Sequence, residues 1–81
     1  MPKIFEWNGY KFFFFSNEGI PLEPCHIHVR KGVNIAKFWV FPDVKLSSSW
    51  GMTSNELNIL ERKVIENKNL ITEKWNKNVN K

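Results

Sequence analysis

Four consecutive phenylalanines, Phe12 to Phe15, constrain this chain more than any other feature. In a strand, successive side chains point to opposite faces. Tyr10, Phe12 and Phe14 therefore share one face, and Lys11, Phe13 and Phe15 share the other. A strand that is aromatic on both faces belongs inside a sheet that is covered from both sides. That is demanding for 81 residues, because a domain of this size buries only about 60% of the surface its unfolded form exposes. Two solutions are open: a heavily aromatic core, or burial of one sheet face against a partner. Seven Phe, four Trp and one Tyr permit both.

The composition excludes several classes. An apolar fraction of 42% and a charged fraction of 25% are globular values, so the chain can bury enough apolar area to fold. No apolar run approaches the roughly 20 residues that a spanning helix needs, which implies no membrane span. Met1-Pro2-Lys3 opens into a strand-like segment rather than a signal peptide. Cys25 is the one cysteine and cannot form an internal disulfide, so a reducing cytoplasm is the expected location.

The chain reads as one α+β domain over residues 1–81. A sheet region spans 1–50, a helical region 53–78 and a frayed tail 79–81. Lys3 to Trp7 is a weakly alternating strand. Asn8-Gly9 is a two-residue hairpin signal, since both positions tolerate positive φ. Tyr10 to Ser16 is the second strand, and Asn17 to Pro24, with Gly19, Pro21 and Pro24, is an irregular loop. Cys25 to Lys31 places Cys25, Ile27 and Val29 opposite His26, His28 and Arg30. Gly32-Val33-Asn34 turns the chain into a fourth strand, Ile35 to Phe41. Val44 to Trp50 is either a short edge strand or an extended loop. Thr53 with Glu56 fits a capping box. Leu57, Leu60, Val64, Ile71 and Trp75 then form a helical stripe, widened by Ile59, Ile65 and Leu70. The expected architecture is a four-stranded antiparallel meander packed against one long or two consecutive C-terminal helices, with any bend near Asn67-Lys68-Asn69.

The feature most open to chemistry is Pro24-Cys25-His26-Ile27-His28-Val29. His26 and His28 share a strand face, about 6.5 Å apart along the backbone. Two imidazoles so placed can share a proton-transfer task, ligate a metal or contact a phosphate; they can equally be structural, one bonded to a backbone carbonyl. A zinc site needs a third ligand, and spacing fixes none among Glu18, Glu23 and Asp43, so neither a metal nor another cofactor is expected. Cys25 points away from His26, which argues against a Cys–His nucleophilic pair and for a buried, inert thiol. His26, His28, Arg30, Lys37 and Lys11 form a candidate basic surface. Trp39 and Phe13, interleaved with it, either stack RNA bases or belong to the core with Phe41.

The order of motifs resembles a known family. Met1-Pro2, Gly9-Tyr10-Lys11-Phe12-Phe13-Phe14-Phe15-Ser16-Asn17-Glu18-Gly19, Pro24-Cys25-His26-Ile27-His28-Val29, Ala36-Lys37-Phe38-Trp39 and a helix ending in Trp75 are similar to the domain-of-unknown-function-4160 family of small bacterial proteins. His26 and His28 match that family's paired histidines. The resemblance implies no reaction. It implies a cytoplasmic partner-binding protein, one half of a two-gene cassette similar to toxin–antitoxin modules.

Three functions stay open on these residues. The first is a protein-interaction module, a toxin–antitoxin-like subunit or phage-type inhibitor, acting through a protein or ribonucleoprotein partner or a homodimer. The second is a metal-independent ribonuclease, with His26 and His28 as acid and base and Arg30 or Lys37 on the phosphate. The third is non-catalytic RNA binding through the same residues.

Overall fold

The computed structural model describes residues 3–14 and 24–78. Five strands run in chain order: β1 Lys3–Trp7, β2 Tyr10–Phe13, β3 His26–Lys31, β4 Asn34–Trp39 and β5 Lys45–Trp50. Each pairs antiparallel with the next, giving one meander sheet with β3 in the middle. Two helices follow, α1 Ser54–Glu66 and α2 Lys68–Asn78. The architecture is the expected α+β one, with one strand more than four. Of the two readings open for Val44 to Trp50, the strand holds: Lys45–Trp50 pairs with β4 as an edge strand. Phe15 and Ser16 of the expected second strand, and most of the loop after it, lie outside the described residues.

Local chemistry sets the turns. Asn8 and Gly9 both take positive φ, 52° and 83°, so the strands they join keep their natural twist. Across this hairpin Phe5 stacks on Phe12 with ring centroids 4.2 Å apart, and Trp7 stacks on Tyr10 at 5.9 Å.

One sheet face carries the core. Tyr10, Phe12, Phe14, Cys25, Ile27, Val29, Ala36, Phe38 and Val40 are buried there with Leu60, Val64, Ile71 and Trp75 of the helices. Helix α1 begins with the capping box. Glu56 N–H donates to Thr53 Oγ1 at 3.1 Å, and Thr53 N–H donates to Glu56 Oε1 at 3.0 Å. The other Glu56 oxygen accepts from Tyr10 Oη at 2.6 Å, which ties the helix start to β2. The Thr53 N–H first, and the Tyr10 hydroxyl second, hold the Glu56 carboxyl below its ordinary range.

The helical segment is two helices broken at one residue, Asn67. Its side-chain Nδ2 donates to the Lys63 carbonyl at 2.9 Å, and its backbone N–H reaches the same carbonyl at 3.1 Å. Asparagine competes in this way for backbone partners and ends a helix. Lys68 then donates from Nζ to the Pro42 carbonyl at 3.2 Å, so the one polar step in the apolar stripe fastens α2 to the β4–β5 connection. The stripe is narrower than its sequence suggests. Ile59, Ile65 and Leu70 are exposed, because Ile59 and Ile65 each stand about 100° around the helix from a residue that meets the sheet.

Among the described residues, the helices reach the opposite sheet face only through the Trp75 ring of α2, which meets His26. Phe13, His26 and His28 there are buried. Among the described residues, no helix is long and apolar enough to cross a membrane. Leu60→Ala should lower the unfolding free energy by about 2–5 kcal/mol. Ile65→Ala should change it by less than about 0.5 kcal/mol. Denaturant titrations of the two variants check this difference.

Candidate functional site

The helix-free face is built in three rows across the strands. Glu6, Lys11, Arg30, Ile35 and Trp50 are successive cross-strand partners in the first, and Lys3, Phe13, His28, Lys37 and Ser48 in the second. His26, Trp39 and Lys45 form the third. Two irregularities in the pairing create this arrangement. Strict alternation would put Lys3 on the core face with Phe5 and Trp7. A register shift between Lys3 and Phe5 turns it over to face Phe13. A second shift, opposite Lys37 and Phe38, brings Lys45 and Trp50 onto one face although they are an odd number of residues apart.

The paired histidines are brought together but withdrawn from the surface. Their ring centroids lie 5.4 Å apart, edge to face. His26 is fully buried, between Trp39 at 5.4 Å and Trp75 of α2 at 5.0 Å. Its Nδ1 lies 3.0 Å from the Pro24 carbonyl oxygen. A carbonyl only accepts, so Nδ1 carries a proton. His26 therefore has no surface open to solvent, so the two histidines are not exposed as a pair. The physical reason is its place at the start of the central strand, where Trp39 and Trp75 close over it. His28 is 7% exposed, stacked on Phe13 at 5.8 Å, and it reaches the edge of a surface hollow. Among the described residues, no three His, Cys, Asp or Glu side chains cluster as a metal site. Glu18 and Glu23 lie outside the described residues.

The two rings anticipated as base platforms are engaged within the chain. The Arg30 guanidinium sits 5.8 Å over the Phe13 ring, and Phe13 is only 6% exposed. The Lys37 ammonium sits 4.6 Å over Trp39. Both are cation–π contacts, and they leave the charged heads at the surface. The open aromatic on this face is Trp50, 64% exposed on the edge strand.

Charge and shape combine in two shallow hollows. One, of about 110 Å3, is lined by Lys3, Lys11, Phe13 and Arg30. Lys11 and Arg30 stand directly opposite each other, a like-charge pairing that opposes folding. The nearby carboxylate, Glu6, is paired with Lys3 at 3.0 Å; that Lys3 contact holds its carboxyl below the ordinary range. The other hollow, of about 200 Å3, lies between His28, Ile35, Lys37, Ser48 and Trp50. Lys3, Lys45, Ser48 and Trp50 were missed from the sequence as members of the site. Only the bulges place them there, and no spacing signals a bulge.

Cys25 lies on the core face with Ile27 and Val29. Burial pushes its thiol up to about 12, and the Lys68 charge opposes this only in part.

A family model described as "Domain of unknown function (DUF4160)" matches residues 9–76, most of the chain. No curated protein and no solved structure matches it.

Thiol reagents should label Cys25 far more slowly in the native state than in denaturant. The raised thiol pKa also gives a pH window. Burial favours the protonated form in the folded chain, so its contribution is fully present below the ordinary value of 9.0 and is lost as pH rises toward about 12. Denaturation midpoints should fall more steeply across that window for the wild type than for Cys25→Ala, since Tyr10 titrates in both.

Proposed function

This chain belongs to the DUF4160 family, and we propose that it is a non-catalytic binding protein that holds RNA against the helix-free face of its sheet. The observation that carries this reading is the charge pattern of that face. Lys3, Lys11, Arg30, Lys37 and Lys45 stand on its strands, against Glu6 as the one carboxylate at a described strand position there. Cations in direct cross-strand opposition cost stability unless an anion bridges them. A phosphate seated between Lys11, Arg30 and Lys3 removes that repulsion. The rows run across the strands, so a polynucleotide backbone can meet one cation after another. The alternative of a solvated surface fits less well, because solvated faces mix both signs, as α1 and α2 do with Lys63–Glu66 and Lys77–Glu73 pairs.

A protein partner is the second reading, in keeping with the toxin–antitoxin-like pairing that the family resemblance implies. Phe41 favours it. This ring is 59% exposed and stands between two hollows of about 210 and 330 Å3; Trp39 and Lys45 of the third row line the first, whereas Lys11 and Arg30 line neither. An exposed aromatic flanked by recesses suits a protein contact. If it is one, Phe41→Ser should abolish co-purification with the neighbouring protein of the cassette while leaving RNA binding intact. Unchanged co-purification would remove this reading.

The RNA reading is tested by titrating an unstructured RNA oligomer at several salt concentrations. Affinity should fall linearly with salt on logarithmic axes. Arg30→Ala and Lys11→Ala should each weaken binding and lower the slope by about 1. Absence of salt-dependent binding, or slopes unchanged in both variants, would refute it.

A further inference from the structure

We infer that Trp50 is a stacking platform for a single unpaired RNA base, seated in the hollow between Trp50, Ile35, Lys37 and Ser48. This inference rests on the RNA reading above and adds to it which structural form of RNA the face takes. Three observations carry it.

The first is exposure. A tryptophan 64% exposed on a strand keeps most of its apolar ring in water, an unfavourable state that a planar ligand relieves. Phe13 and Trp39 on the same face are each covered by a cation from their own chain, and Trp50 is not among the rings so covered.

The second is position. Trp50 ends the row that contains Lys11 and Arg30. Arg30 is two strands away, about 10 Å at ordinary strand spacing. A strand with its phosphate between Lys11 and Arg30 can therefore lay a nearby base on Trp50 within a few nucleotides. Half-buried Ile35 lies directly between them, so the path is apolar and shallow rather than blocked by charge.

The third is the hollow itself. At about 200 Å3 it is smaller than the usual range for enclosed small-molecule sites, and it suits one flat group. Lys37 and Ser48 line it, and the Ser48 hydroxyl can bond to a base edge or to a ribose hydroxyl. Bases in a duplex are already stacked and paired, so only an unpaired base can reach the ring. The cations alone do not make that distinction.

The experiment compares an unstructured RNA 12-mer with a perfect duplex of the same sequence, using wild type, Trp50→Ala and Trp50→Phe. Circular dichroism checks that both variants fold, which the edge position of Trp50 favours. The single strand should bind more tightly than the duplex. Trp50→Ala should lose about 5- to 150-fold on the single strand and little on the duplex. Trp50→Phe should keep most of the wild-type affinity. Equal loss on both RNAs, or no loss in Trp50→Ala, overturns the platform while salt-dependent binding through Arg30 and Lys11 still stands. No salt-dependent binding of either RNA by the wild type overturns the RNA reading itself.

Discussion

Burial of the central strand on both faces is the constraint on which the rest of the structure depends. Four consecutive residues of β3, His26 to Val29, are buried, although only one face of the sheet has helices on it. On the helix side Ile27 and Val29 meet phenylalanines and the α1–α2 stripe. On the other side, among the described residues, imidazole and aromatic rings pack on one another. His28 lies on Phe13, and His26 lies between Trp39 and Trp75. Imidazole suits this place because it is flat, packs on aromatic rings, and still satisfies its nitrogens locally. The bond from His26 Nδ1 to the Pro24 carbonyl is of this kind. No buried side-chain nitrogen or oxygen among the described residues lacks a partner.

The cations of the helix-free face follow from the same constraint. Long basic side chains lay apolar stems and charged heads over rings that would otherwise face water. Arg30 covers Phe13 and Lys37 covers Trp39. Among the described residues, the cover that these side chains give the rings is strongly positive. The residues that cover these rings are the ones on which the proposed RNA contact rests. The like-charge opposition of Lys11 and Arg30 is unfavourable for folding.

Much of the fold could be read from short-range patterns. Asn8-Gly9 specified its hairpin, Thr53 and Glu56 specified the start of α1, and the Leu57–Leu60–Val64–Ile71–Trp75 period specified which helix side meets the sheet. Cys25 was placed in the core by its phase with Ile27 and Val29. The helix stripe is narrower than the pattern suggests at the exposed Ile59, Ile65 and Leu70, since apolar residues beside a stripe look the same in sequence whether or not the sheet reaches them.

The candidate site was legible only in part. Alternation along β3 determined that His26, His28 and Arg30 share a face, because side-chain direction in a strand depends on neighbouring backbone alone. It did not determine how deep they lie. His26 is withdrawn by Trp75, which is 49 positions away in the chain, and such a contact exists only once the helices have docked. Likewise Lys3 and Trp50 join the face through two register shifts. A bulge reverses the face of every residue beyond it, and whether one forms depends on how two strands fit together. The sequence by itself determined the elements and the face of each residue within its own strand. The tertiary structure decided which faces stand side by side, which rings are covered and which, such as Trp50, are left open to solvent, because those outcomes depend on pairings between distant parts of the chain.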